Sequence, residues 1–576
     1  LPQHLNNPVV AADGSFSATA AAPRPTVSRH RAARILSAAM LAAAAILFAL
    51  HFVHLNADFP NHSPWVDWSK YTDEGWYGDA AIRQSLSGHW YFKGDFNPAV
   101  VLPVWPAIEY LAFKFTGVSA AAARATTLCV FALTLLTLYL LIQRHTRPRT
   151  SDSGQPLAAP LTVLLLCASP LFFVFERMAI LEPLLIALTS LALLAASYLH
   201  AKPLRTLGIR GLVLHGLLPT LCLTLLLPAM VLTKTTAICL FPAIFYMVWA
   251  RAGYRLWPAL KLAVPPALGA LALWCAYFFL WVRPYYLEDY RYLFSANAYT
   301  GIELEPIAQV VRNTIADGAW MGAPLYLAFF IVLALVLFWR GRLLANPLFP
   351  SLLLWIAGYF VFLAYHNNLQ PRYYLVVAAP ITAVVALGID NFRHALHGNH
   401  GRSATILSTT LAAAAVLAIA VPDVIQQTGY VLHPTYDFMA AAQDIKQIVL
   451  DDKTHPHLIL SISGSDLTLM TGLPSIDDDF GTLNLDERVK QYSPGWYVAW
   501  NDVEDDKADN ITPYYQMVRV AAFPAYDDPD RNLLILYRLD PLTEPSTVSP
   551  AKRKRHIPKP LVTRLGQQPS SLQLEH

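Results

Sequence analysis

Apolar residues run along this chain in long, nearly unbroken blocks, not in the alternating or four-residue rhythm of soluble elements. A bilayer core of about 30 Å takes roughly 20 apolar residues per helix, with about 17 as the lower limit. By that measure eleven segments qualify as spans: 34–55, 119–142, 159–175, 183–199, 212–232, 236–250, 258–283, 321–339, 348–365, 373–389 and 404–422. Most of the connections between them are short, but 56–118 and 284–320 are long. Within the first, 73–88 and 100–117 have the pattern of short helices lying along a membrane surface. The second is aromatic at its start (Tyr285, Tyr286, Tyr290, Tyr292) and carries Glu303 and Glu305.

After residue 423 the apolar blocks stop. Residues 423–540 hold twenty Asp and Glu against eight Lys and Arg and are expected to form a soluble α/β domain. Helical spacing marks 436–449, through Phe438, Ala441, Ile445 and Ile448, and the runs 457–462, 514–523 and 532–539 have strand character. The ends, 1–33 and 541–576, are rich in small, Pro or basic residues and are expected to be disordered. The last three residues, Leu574-Glu575-His576, have the character of a tag remnant.

Composition narrows the class. Of 576 residues, 55 % are hydrophobic and 14 % charged, against about a quarter charged in an average soluble domain. Mean hydropathy is +0.39. These values exclude a disordered chain, a fibrous repeat and an ordinary cytosolic enzyme. A net charge of +3 is too small to argue for nucleic acid as a partner. The five cysteines are scattered through apolar stretches, form no disulfide or zinc spacing and are expected to act as small buried hydrophobes.

Charge also sets an expected orientation. The first span follows Arg24, Arg29, Arg31 and Arg34, and its apolar run is too long for a typical signal-peptide core, so an uncleaved anchor is expected. With the N-terminus in the cytoplasm, the inner loops collect sixteen basic residues opposed by Asp13, Asp152 and Asp390. The first outer loop carries seven acids against four bases. The positive-inside rule favours this arrangement over its inverse and places 423–540 outside. Arg exceeds Lys by 29 to 13 and Ala is abundant, which points to a GC-rich bacterium and hence an inner membrane.

Ionisable residues that could do chemistry cluster at the outer ends of the apolar segments. TDEGWYGDAA (72–81) contains Asp73 and Glu74; FERMAILEP (175–183) contains Glu176, Arg177 and Glu182; LTKTTA (232–237) contains Lys234; HNNLQPRYYL (366–375) contains His366, Arg372, Tyr373 and Tyr374. Taken singly, each has an ordinary reading. Carboxylates suit helix starts, Arg177 and Glu182 can pair structurally, and a lone Lys or an Arg among tyrosines can anchor a helix at the interface. Together they make a polar pocket at the membrane surface. Arg and Lys there could hold the phosphate of a lipid-tailed donor, and a carboxylate could take a proton from an acceptor hydroxyl.

At these residues the sequence resembles the GT-C superfamily of polyprenyl-phosphate-sugar-dependent glycosyltransferases, above all protein O-mannosyltransferases and lipid A aminoarabinose transferases. The resemblance rests on Asp73-Glu74 in the first outer loop and on an R-x-x-x-L-E turn from Arg177 to Glu182. It also rests on Thr233-Lys234-Thr235, where Thr replaces the usual Gly, and on Pro371-Arg372-Tyr373. It covers roughly 34–422. It implies an α-helical polytopic fold of about eleven transmembrane helices with a small extracytoplasmic α/β domain, and direct inverting displacement at the anomeric carbon. Asp73 is implied as general base, Glu74 as its support or as part of the acceptor side, and Glu182 as a positioning group for acceptor or sugar. Lys234, Arg372 and Arg177 are implied for the donor phosphate, with Tyr373, Tyr374 and His366 as further substrate contacts.

The implied partners are a polyprenyl-phosphate-linked sugar donor, an acceptor lipid, glycan or protein, and membrane lipids. No cofactor is required by this reading. A divalent cation would find only the acidic runs Asp477-Asp478-Asp479 and Asp502, Glu504, Asp505, Asp506, whose ordinary reading is a solvated acidic face. A lipid-linked sugar flippase or transporter is the alternative and requires a polar path through the membrane. A membrane scaffold would instead depend on 423–540 and not on Asp73.

Overall fold

Each of the eleven apolar segments coincides with helix. The computed structural model describes residues 27–58, 70–146, 156–200, 208–297, 306–316, 318, 320–339, 343–366, 370–399, 402–526 and 531–543. Among these, seven helical stretches are long and apolar enough to cross a membrane: Arg31–Leu50, Ala120–Thr146, Leu181–Tyr198, Gly208–Thr233, Leu256–Tyr285, Pro371–His394 and Ile406–Asp451. Four shorter apolar helices, Ala158–Ala168, Thr235–Arg251, Ala323–Leu337 and Leu348–Ala364, account for the remaining segments. Large apolar side chains such as Leu136, Leu225, Leu271 and Leu337 are exposed on the bundle exterior, as a lipid-facing surface requires. Of the cysteines only Cys167 is buried; Cys129 is exposed and the other three are intermediate, so the expectation of five buried thiols is corrected.

Several apolar helices are broken at one end, for local reasons. Ser169 is extended before Pro170, which cannot donate to a continuing helix, so 158–168 gives way to the short Pro170–Phe175 helix. Ile180, Lys234 and Gln370 are likewise extended immediately before Leu181–Tyr198, the 3₁₀ turn Thr235–Leu240 and the 3₁₀ turn Pro371–Tyr374. Interrupted helices at membrane depth occur where they line a protein-enclosed or wet cavity. The 3₁₀ turn after Lys234 is closely packed: a Cβ at Gly358 would collide with the carbonyl of Cys239, so only glycine lets Leu348–Tyr365 lie this close.

Basic residues gather at the other end of the same helices. Arg144 donates to the Ser197 carbonyl at 3.1 Å and Arg251 to that of Leu199 at 3.1 Å. Asp390 pairs with Arg393 at 2.9 Å and accepts from the amides of Leu157 and Ala158, at the start of Ala158–Ala168.

The first long loop contains the helices Asp73–Ser87 and Val104–Thr116, and the second contains Leu287–Asn297 and Ile307–Ala316. Glu303 and Glu305 lie outside the described residues. The soluble domain is a five-stranded sheet of order β2-β1-β3-β5-β4, with β1 Ile459–Leu460, β2 Ser475–Ile476, β3 Trp496–Trp500, β4 Tyr515–Pro524 and β5 Leu533–Pro541. β1 runs parallel to β2 and β3, and β5 antiparallel to β3 and β4. Both faces are covered. Trp496 and Val498 pack with Phe438, Ile445 and Leu467, while Tyr497 and Ala499 pack with Leu485, Val489 and Ile511. Alternate residues of β3 thus serve opposite layers, as strand geometry dictates.

Three sequence expectations are corrected. Helix begins at Val27, inside the segment expected to be disordered. The helix Arg402–Leu432 runs unbroken past 423, carrying Pro422 within it, so the soluble domain starts about one element later. Asp477 and Asp478 are buried rather than solvated: Asp477 Oδ1 accepts from the Asp479 and Phe480 amides, both at 2.7 Å. Lys507 donates to the Asp478 carbonyl at 3.2 Å. The second run, Asp502 and Glu504 to Asp506, is exposed.

Candidate active site

The helix breaks bring four charged side chains from distant stretches into one cluster. Asp73 opens Asp73–Ser87, and its Oδ2 pairs with Arg372 Nη2 at 2.7 Å. Glu182, in the first turn of Leu181–Tyr198, is paired through Oε1 with Lys234 Nζ. Arg372 Nε lies 3.9 Å from the same Glu182 oxygen, so the two ion pairs are joined. Asp73, Glu182 and Arg372 are at most 4 % exposed. Two acids and two bases cancel, which is how such charges survive burial.

Tyr373 forms the floor beneath the cations. Lys234 Nζ sits 4.1 Å from its ring centroid and the Arg372 guanidinium 5.0 Å. His366 packs at its edge, 5.7 Å between centroids, and stacks on Phe362 at 4.8 Å. Tyr374 is buried one residue further on. Burial, then Lys234, then Arg372 lower the His366 pKa to about 4, so the ring is neutral at pH 7. Because this folded-state value lies below the ordinary 6.5, the unfolded chain binds the proton more readily. Stability is therefore full above about pH 6.5 and falls as pH drops towards 4, by up to roughly 3 kcal/mol. The thermal midpoint in detergent is expected to fall across that range, and more shallowly in His366→Phe.

Glu74 faces away from the four-charge cluster. Arg124 grips its carboxylate from Nε at 2.9 Å to Oε1 and from Nη2 at 2.5 Å to Oε2, and the Ala179 amide donates to Oε1 at 3.0 Å. Arg124 Nη1 also donates to the carbonyls of Leu55 and Ala57, both at 2.6 Å. Glu74 thus ties its helix to Ala120–Thr146 and to the turn before Glu182. Arg177, expected among the phosphate ligands, donates through Nη2 to the carbonyls of Val53 and His54 at 2.8 and 2.7 Å and lies over Phe173. These contacts hold it at the end of the first span and not at the Lys234–Arg372 pair.

Sequence reasoning missed several groups. Arg124 is hidden in an apolar run; an arginine in the first turn of a span was the available signal. Tyr77, one turn after Asp73, is within electrostatic reach of Asp73, Arg372 and Tyr373. Glu109 of Val104–Thr116 is fully buried with neither carboxylate oxygen hydrogen-bonded among the described residues, and burial, then Glu74 and Asp466, push its pKa well up. Glu176, already a member of the FERMAILEP cluster, is likewise buried with neither carboxylate oxygen hydrogen-bonded among the described residues, and burial raises its pKa. Among the described residues no group of three or more His, Cys, Asp or Glu is arranged to hold a metal ion.

No family model matches the chain, and no curated protein matches it. Solved structures do. ArnT from Cupriavidus metallidurans in its apo state aligns over 88 % of this chain and 98 % of its own, with a TM-score of 0.56 and 15 % identity. The same protein bound to undecaprenyl phosphate aligns over 87 % and 97 %, with a TM-score of 0.55 and 15 % identity. The archaeal oligosaccharyltransferase AglB from Archaeoglobus fulgidus, in complex with an inhibitory peptide and a dolichol-phosphate, covers 87 % of this chain and 74 % of its own. Its TM-score is 0.50 and its identity 13 %. The chain is thus an integral membrane protein with the GT-C fold, mostly helical, with a small C-terminal sheet domain.

Proposed function

We propose that the protein is a membrane glycosyltransferase that moves a sugar from a polyprenyl-phosphate donor to an acceptor at the outer face of the membrane. The observation that carries this reading is the contact between Asp73 and Arg372, joined through Glu182 to Lys234. Neutral overall, the cluster is poised for exchange of partners. A donor phosphate drawn to Arg372 and Lys234 competes with their carboxylates. Asp73 is then released beside the acceptor, free to take a proton.

In the step we envisage, the acceptor hydroxyl loses its proton to Asp73 while its oxygen bonds to the anomeric carbon on the face opposite the phosphate. The bond from that carbon to the phosphate oxygen breaks. Polyprenyl phosphate leaves with the electron pair, and configuration inverts. Negative charge grows on the phosphate as it departs, so Arg372 and Lys234 stabilise the transition state more than the ground state. Glu182 keeps Lys234 in place and orients acceptor or sugar; Tyr373, Tyr374 and His366 shape the donor side.

The likeness to ArnT bound to undecaprenyl phosphate and to AglB with a dolichol-phosphate supports a lipid phosphate as a ligand. The concentration of Arg144, Arg251 and Arg393 at the opposite end supports an outward-facing site by the positive-inside rule. On this reading the protein is a bacterial inner-membrane protein whose soluble domain faces the periplasm.

The test is reconstitution in liposomes with a radiolabelled polyprenyl-phosphate sugar, followed by mass spectrometry of lipid, glycan and protein fractions. A new glycosidic bond that depends on Asp73 is expected. Movement of intact donor across the bilayer with no new bond would sink the proposal in favour of a flippase.

A further inference from the structure

The helix Asp73–Ser87 displays three stripes at four-residue spacing, and each meets a different part of the molecule. Asp73 and Tyr77 face the charge cluster. Glu74 and Gly78 face the membrane domain and the first loop, where Glu74 meets Arg124 and a Cβ at Gly78 would strike the Glu109 carboxylate. Gly75 and Asp79 face the soluble domain, and Arg83 reaches it through Asp95 of the first loop. Residues four apart share one helix face, so TDEGWYGDAAIR encodes all three contacts.

The third stripe is gripped at each turn. A Cβ at Gly75 would collide with the backbone of Ser465 and Asp466, so the Gly464–Thr471 helix lies directly against the backbone beside Asp73. Ser465 Oγ donates to Asp79 Oδ1 at 2.8 Å. The adjacent Trp76 donates from Nε1 to the Ile462 carbonyl at 3.1 Å. Arg83 pairs with Asp79 at 3.0 Å and with Asp95, whose other oxygen meets Arg488 Nη1 at 3.1 Å and the Asp477 amide at 3.1 Å. Arg488 and Asp95 are each 1 % exposed. Lys234 and Arg372, by contrast, are held at breaks between the apolar helices.

We infer that the soluble domain is the positioning element of the transfer site: by gripping Gly75 and Asp79 directly, and Arg83 through Asp95, it aims Asp73, and Ser465 and Arg488 act as positioning residues through that helix. The inference rests on the proposed function for its catalytic meaning, but not for its geometry. A loosened grip lets the first turn of the helix wander while the cations stay where they are. It therefore lowers kcat and leaves donor-phosphate binding alone. A misplacement of about 1 Å is enough to cost on the order of 100-fold in rate.

The experiment compares full-length Arg488→Ala, Arg488→Lys, Ser465→Ala and Gly75→Ala with the unmodified protein. Arg538→Ala, on the far strand β5, is the control. Three quantities are read: hydrogen exchange of residues 73–87, binding of undecaprenyl phosphate, and kcat for transfer. Expected are about tenfold faster exchange confined to that helix, a kcat lowered about 10- to 100-fold, binding held within about twofold, and partial recovery in Arg488→Lys. Unchanged exchange, unchanged kcat, or equal loss of binding and turnover in the folded variants overturns the inference. If Arg488→Ala does not fold, Ser465→Ala, which removes one hydroxyl, decides the question. Should the unmodified protein transfer no sugar, the functional reading fails, and the exchange measurement still determines whether the soluble domain holds the helix.

Discussion

Asp73→Asn is expected to lower sugar transfer by about 100- to 10 000-fold, the span typical for loss of a general base, without weakening the binding of undecaprenyl phosphate. The substitution is nearly isosteric. The amide oxygen can still accept from Thr72 Oγ1, which donates to Asp73 Oδ1 at 3.0 Å. What disappears is the basic oxygen and the counter-charge 2.7 Å from Arg372. With Glu182 3.9 Å away as the remaining carboxylate, Arg372 becomes a better partner for an incoming phosphate. Donor affinity should hold or rise while turnover collapses. A purely structural role for Asp73 makes the opposite forecast: binding, turnover and thermal midpoint fall together. Turnover within a few-fold of the unmodified protein would remove Asp73 from the chemistry altogether.

The sequence discloses the bundle more readily than the site because lipid imposes a simple rule, while the cluster depends on where helices break. Each long apolar block coincides with helix, and among the described residues seven of those helical stretches are long and apolar enough to cross a membrane. The charged members of the cluster were legible as lone polar residues at the ends of those blocks. Their partners were not. Nothing in the linear chain says that Asp73 meets Arg372 while its neighbour Glu74 meets Arg124, because consecutive helical residues point about 100° apart and the choice is made by tertiary packing. Arg177 shows the reverse error: a motif position implies phosphate, and the fold uses the guanidinium to hold the Val53 and His54 carbonyls. Of the soluble domain's strands, β1, β4 and β5 fall on the expected runs, while β2 and β3 are hidden for a different reason. β2 is two residues long, and β3 is apolar on both faces because helices cover both, so neither alternates. The Asp477-Asp478 pair reads as a solvated run because composition carries no information about its burial, or about Arg488 and Lys507, which donate to its two backbone carbonyls.

Arg372→Ala should produce the larger loss in donor binding. Removing one member of a buried, hydrogen-bonded charge pair costs about 2–5 kcal/mol, or roughly 30- to several-thousand-fold, and here two effects act in one direction. The phosphate loses its bidentate partner, and Asp73 and Glu182 are left facing it with Lys234 alone to offset them. Arg372→Lys should recover part of the loss, because a point charge restores neutrality without the planar fork. Lys234→Ala should cost less than Arg372→Ala, since Lys234 contacts Glu182 while Arg372 bridges both carboxylates. The decisive variant is the double one. If excess negative charge is the reason for the defect, adding Glu182→Gln to Arg372→Ala restores the balance and should regain donor affinity, although Glu182→Gln alone weakens the site by freeing Lys234. Such a sign reversal in a double-mutant cycle is the signature of direct coupling. Additive losses, or an Arg372→Ala protein that binds undecaprenyl phosphate as tightly as the unmodified chain, would place the phosphate elsewhere.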